Sequence, residues 1–168
     1  MGNQRIFSKY HKQTRRYPSR IMESGKVSTS VPSIEGYEEI VVEAVGAMAR
    51  IHEVPYEKLN KLKIAVNEAC INAMDHGNNY DPTKNVEVTF EYNNESLSVS
   101  VKDSGSGNVS PNFDEPDLDE QFELFKSMEQ EISGWGLFLM KSLVDDVEIV
   151  GTEGEGTTTT VTILHEHA

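Results

Sequence analysis

The chain has a single cysteine, Cys70, so no internal disulfide can form, and no grouping of cysteines and histidines has the spacing of a zinc site. A reducing, cytoplasmic setting is the expectation. Long apolar runs are missing as well: none approaches the roughly 18 residues of a membrane-spanning helix. The opening MGNQRI has no apolar leader, and Ile6 stands where myristoylation needs serine or threonine. No membrane association is therefore expected. Basic residues are scarce and unevenly placed, 15 Lys and Arg against 28 Asp and Glu for a net charge of −13. Residues 1–26 hold seven of the basic side chains and one acid, Glu23; residues 27–168 hold eight basic and 27 acidic ones. So acidic a body argues against direct nucleic-acid binding as the main activity. The basic segment 1–26 has no helical or strand period and is expected to be a flexible arm, free to meet an acidic partner, the chain's own acidic surface, or only solvent.

What is present suits one domain, expected over 27–168. VSTSVP (27–32) reads as a strand, and Ser33 as the N-cap of a helix running to about His52. Pro55 breaks the chain, and a second helix runs from about Tyr56 to Gly77, where glycine can supply a left-handed cap. NVEVTFEYN and ESLSVSVKD then alternate, with Val86, Val88 and Phe90 on one face and Leu97, Val99 and Val101 likewise; Asn93 and Asn94 mark the hairpin turn between them. The region 105–134 is acidic and proline-bearing with a weakly helical LFKSMEQEI, and reads as a lid over about 108–133. A helix from Gly136 to Asp145 and the strands DVEIVG and TTTTVTIL, joined by EGEG, complete the chain. The order predicts an α+β fold, a two-layer sandwich with helices on one face of a largely antiparallel mixed sheet.

The second helix carries Glu68 and Asn72 within about 40° of one another on a 3.6-residue wheel, with Asp75 close by. Ile64 and Ile71 flank them on one side, and Ala65, Ala69, Leu62, Ala73 and Val66 on the other; Asn60, Lys63 and Asn67 mark the expected solvent side. The carboxylate and amide therefore point inward or into a cleft, which is costly unless they are hydrogen-bonded, paired or used. Cys70 falls in the apolar arc and fits a small buried residue rather than a nucleophile.

Two glycine-bearing stretches bracket the lid. Asp103-Ser-Gly105-Ser-Gly107 follows a strand; its glycines permit positive φ and close backbone approach, and its carboxylate can accept a hydrogen bond from an exocyclic amine such as that of adenine. Ser-Gly134-Trp-Gly136-Leu137 opens a helix whose free amides favour an anion. Taken singly, each also fits an ordinary turn or helix start.

In order, the inward Glu and Asn, the DxGxG after a strand, the GxG opening a helix, and Gly154-Glu-Gly156-Thr157 before the last strand resemble the N, G1, G2 and G3 boxes of the GHKL ATPase superfamily. KIAVNEACINAMDHG and GWGLFLMKSLVDDVEIV resemble more closely the bacterial anti-sigma factor serine/threonine kinases of that superfamily, over roughly Val27 to Leu164. The resemblance implies a Bergerat-type fold that uses ATP and Mg²⁺. It implies Glu68 as general base, Asn72 as Mg²⁺ ligand, and Asp103 as acceptor of the adenine amine, with Thr157 nearby through water. Gly105, Gly107, Gly134 and Gly136 would shape the lid hinges, and the amides at Gly136 and Leu137 would hold phosphate oxygens. Asp75 and His76 would lie near ribose and phosphates or only stabilise the helix end. Such kinases often place a lid arginine toward the γ-phosphate, whereas Lys126 is the only basic residue between Gly107 and Gly134 here. The implied partners are an anti-sigma-factor antagonist and a sigma factor, with a homodimer as the common arrangement. A sensor histidine kinase is disfavoured, because His11 is the arm's only histidine and nothing around it is helix-periodic. A nucleotide-binding module that captures partners without transferring phosphate is the competing expectation.

Overall fold

The computed structural model describes residues 24–114 and 135–164. The basic arm up to residue 23, the centre of the lid, Lys126, Gly134 and the weakly helical LFKSMEQEI lie outside the described residues. The elements run β1 (Ser24–Pro32), α1 (Glu38–Ile51), α2 (Tyr56–Asn72), a π-helical turn (Ala73–Gly77), β2 (Asn85–Asn93), β3 (Ser96–Lys102), α3 (Trp135–Leu143), β4 (Asp146–Thr152) and β5 (Gly156–Leu164).

The strands form one sheet in the order β1-β2-β3-β5-β4, and every ladder is antiparallel. Alternation decides which face is covered. Phe90, Val99, Val161 and Val147 stand in register across four strands and are all buried under the helices. The intervening residues form a hydroxyl-rich outer face, on which Ser28 meets Thr89, Ser100 meets Thr160 and Ser98 meets Thr162 at 2.9–3.1 Å. The helical layer contributes Val41, Val45 and Met48 from α1, Leu62, Ala65, Val66, Ala69 and Cys70 from α2, and Met140 from α3. The β2–β3 turn forms as expected, with Asn93 Oδ1 accepting from the backbone of Glu95 and Ser96.

Three local expectations need correction. Ser33 does not cap α1. It is fully buried, accepting from Asn78 Nδ2 at 2.7 Å while its own amide reaches Lys84 O; α1 begins at Glu38, with Tyr37 at the N-cap and no side-chain cap bond. Gly77 is not a left-handed cap. The last turn of α2 widens until Asn78 N reaches Ala73 O, and positive φ falls instead on Asn79 and Tyr80. Finally, Ile64 is exposed, although the wheel placed it on an apolar flank, and Lys63, assigned to solvent, is half-buried. Gly46 explains the lysine: without a side chain there, the Lys63 stem crosses α1 and its ammonium pairs with Glu43 at 3.0 Å. The exposed isoleucine follows from axial level, since α3 meets α2 at Glu68 and Asn72, one and two turns beyond Ile64.

Candidate functional site

The end of α2, the β3–lid junction, the start of α3 and the first residues of β5 enclose a cavity of about 350 Å³. That volume lies in the range of small-molecule sites. Asn72 and His76 reach it from α2 and the π-turn, Asp103, Gly105 and Gly107 from the β3 end, Gly136 and Leu137 from α3, and Thr157 from β5. Ile149 and Ala73 add apolar wall, and Thr159 lines it beside them.

Asp103 anchors one end. It is only 5% exposed, and no basic side chain pairs with it among the described residues. Its Oδ1 accepts from the amides of Gly105 at 2.7 Å and Thr157 at 3.1 Å. This arrangement exists because β3 and β5 pair directly, with Asp103 N also donating to Thr157 O. No fully buried side-chain polar atom among the described residues lacks a partner. Oδ2, which has no donor there, is therefore the oxygen reachable from the cleft.

Absent side chains make the room. A Cβ on Gly77 would lie 2.5 Å from Asp103 Oδ2, and one on Gly105 would lie 2.6 Å from Gly77 O. Gly107 and Gly156 add positive φ, +75° and +92°, and each packs its Cα against backbone, Gly107 on Thr152 and Gly156 on Asp103. The lid therefore departs from a seat on the β4–β5 hairpin, where Gly154 N donates to Ser106 O.

Glu68 and Asn72 occupy the other end. A Cβ on Gly136 would stand 2.8 Å from Glu68 Oε2 and 3.6 Å from Asn72 Nδ2, so the first turn of α3 rests on both. Asn72 lines the cavity, whereas Glu68 sits just outside it, half-buried, and burial pushes its carboxyl above the ordinary glutamate range. The first turn of α3 brings Gly136 and Leu137 to the same region. His76 is exposed at the rim and makes only a loose 3.9 Å contact with Asp75, which does not line the cavity. Of the residues singled out from sequence, Asp75 therefore stands aside, and Lys126 and Gly134 lie outside the described residues.

Sequence reasoning missed Asn78. It is 1% exposed and uses its whole amide: Nδ2 donates to Ser33 Oγ and Asn85 O, and Oδ1 accepts from Ser104 N at 2.9 Å. The only local signal is an asparagine following glycine at a helix end, which reads equally well as a turn.

The residues fit an adenine nucleotide with Mg²⁺: a glycine-walled cavity, an accessible carboxylate oxygen at one end, and an amide side chain beside the first turn of a helix at the other. No group of three His, Cys, Asp or Glu side chains converges among the described residues, so a cation here would draw most of its ligands from phosphate and water. No described helix is long and apolar enough to cross a membrane.

Comparison with known proteins points the same way. Residues 33–163 match the family described as the histidine kinase-like ATPase domain. The serine-protein kinase RsbW of Bacillus velezensis is 31% identical over 130 residues, covering 76% of this chain and 79% of the relative. The serine-protein kinase RsbW of Bacillus subtilis is 30% identical over the same shares. Among solved structures, the RsbU and RsbW domains of a Mycobacterium tuberculosis protein align with a TM-score of 0.58 at 20% identity; the match covers 83% of this chain and 32% of that one, and it speaks for the fold. On the family match, the relatives and the shared sheet and helices, the chain belongs to the histidine kinase-like ATPase family and groups within it with the RsbW serine-protein kinases.

Proposed function

We propose that this protein is an ATP-dependent serine/threonine protein kinase and anti-sigma factor that works by partner switching, phosphorylating an anti-sigma-factor antagonist and holding a sigma factor when the antagonist is unavailable. The observation that carries the reading is Glu68: a partly desolvated carboxylate beside the cleft, one turn from Asn72 and against the start of α3. Asp103 Oδ2 would accept the adenine amine, with Thr157 beside it, and Gly136 and Leu137 amides would receive phosphate oxygens. Asn72 Oδ1 is a neutral ligand suited to a hard cation. Bound Mg-ATP supplies the phosphoryl group and the countercharge on its oxygens. Glu68 takes the proton of the acceptor hydroxyl as that oxygen bonds to the γ-phosphorus and the bond to the β,γ-bridging oxygen breaks, leaving ADP. Desolvation suits Glu68 to this work, because it strengthens the carboxylate as a base.

The similarity to serine-protein kinases supports the enzyme class, and partner identity is the finer part of the proposal. One observation favours a second reading, capture of a partner without transfer: Lys126 is the only basic residue between Gly107 and Gly134. Incubating the full chain with Mg-ATP and an antagonist separates the two. Phosphoserine or phosphothreonine on the antagonist, absent with Glu68→Gln, supports the kinase; ATP binding without transfer to any antagonist replaces it with the capture module.

A further inference from the structure

We infer that Asn78 is a positioning residue that fixes the Asp103 loop to the end of α2 and thereby sets the cleft's preference for a 6-amino purine. The inference rests on reading the cleft as an ATP site. Its basis is the way the loop Asp103-Ser104-Gly105 is held from two sides. From within, Asp103 Oδ1 takes the amides of Gly105 and Thr157. From behind, Ser104 N donates to Asn78 Oδ1. Those bonds fix where Oδ2 points, and among the described residues only the Asn78 hydrogen bond ties the loop to the end of the helix that carries Glu68 and Asn72.

The chemistry of position 78 is narrow. The residue must offer one acceptor to Ser104 and two donors, to Ser33 Oγ and Asn85 O, from within a site closed to water. A primary amide of this length does so, whereas aspartate lacks the donors and serine lacks the reach. Gly77 complements it: the missing side chain lets Asp103 approach the helix end, and the next residue clamps the loop in that approach. The three bonds join segments 45, 26 and 7 residues away, so the clamp gathers the ends of β1 and β3 and the start of β2 onto one amide.

Discrimination between ATP and ITP isolates this role. ITP carries an oxygen where ATP carries the 6-amino group, so it offers Asp103 an acceptor instead of a donor at that position. Wild type is expected to prefer Mg-ATP over Mg-ITP by about ten- to a hundredfold in Kd, the value of a hydrogen bond to a charged group. In Asn78→Ala the preference should fall to about threefold or less, chiefly through loss of ATP affinity. Loosening of the fold would weaken both nucleotides alike and leave their ratio unchanged. An unaltered ratio in a cooperatively melting Asn78→Ala chain overturns the inference while leaving the ATP site intact. If that variant does not fold, Ser33→Ala carries the test: it removes one of the three bonds without touching the Asp103 loop, and its ratio should fall by about threefold, an unchanged ratio again overturning the inference. Failure of wild type to bind either nucleotide sinks the proposed function and this inference with it.

Discussion

Gly77→Ala perturbs the molecule where the helix end and the Asp103 carboxylate meet. The new methyl carbon would stand 2.5 Å from Asp103 Oδ2, inside any real contact distance. Backbone conformation is not at issue, since Gly77 is not among the positive-φ residues, and alanine alone would gain about 0.5–1 kcal/mol over glycine there. The carboxylate cannot swing clear without cost, because Oδ1 is held by the amides of Gly105 and Thr157. Relief must come from a shift of the helix end, at the ~1–3 kcal/mol of an overpacked site, or from breaking a bond to an ionised acceptor, at about 1.5–3 kcal/mol. Set against the alanine gain, the net is a loss of up to about 2.5 kcal/mol, or up to about 10 °C in Tm for a chain of this size. Because the displaced group is the proposed base acceptor, the Kd for Mg-ATP should rise about tenfold or more. Gly36→Ala is the matched control: φ is +93° with nothing within 4 Å, so it should lose ~1–2 kcal/mol through backbone strain and keep its nucleotide affinity. Calorimetric melting and isothermal titration of both variants decide the matter. A Gly77→Ala chain that melts and binds like wild type would show that Asp103 does not lie against the helix end.

Three further outcomes follow. Glu68→Gln should cut phosphotransfer by about 10²–10⁴-fold with nucleotide affinity retained; equal loss of both would make Glu68 structural. Its stability effect has a definite sign. Burial raises the folded-state pKa of Glu68 above the unfolded value, so its stabilising contribution is present below the unfolded pKa and lost as pH rises through the folded one. The glutamine variant should therefore melt above wild type at about pH 8 and lose that advantage in acid, and the reverse ordering in a pH series of melts would contradict the burial argument. Cys70, fully buried with its thiol pushed up to about 12 by burial and secondarily by Glu38, should resist iodoacetamide in the native chain and react in denaturant; rapid native alkylation would mean that the α2 core face is open.

The sheet was legible because alternation is a local property: Val86-Val88-Phe90 and Leu97-Val99-Val101 announce their buried face residue by residue. Glu68 and Asn72 were legible for a related reason, since a wheel reports angle. It does not report height along the helix, which is why Ile64 was misplaced: α3 covers the level of Glu68 and leaves the preceding turn bare. Ser33 and Gly77 failed differently. Each has a familiar local role, N-cap and C-cap, and each is used instead for a contact far away in sequence, Ser33 with Asn78 and Gly77 with Asp103. Asn78 was missed because its partners are remote: no short window around it contains Ser33 or Ser104.

The most direct measurement is a calorimetric titration of the purified full chain with Mg-ATP, run beside Asp103→Asn. Saturable binding by wild type at or below millimolar nucleotide, weakened about tenfold or more in the variant, is the predicted result. No association of wild type with Mg-ATP at millimolar concentration, or identical affinities for the two chains, would contradict the assignment of the glycine-walled cavity to an adenine nucleotide held at Asp103.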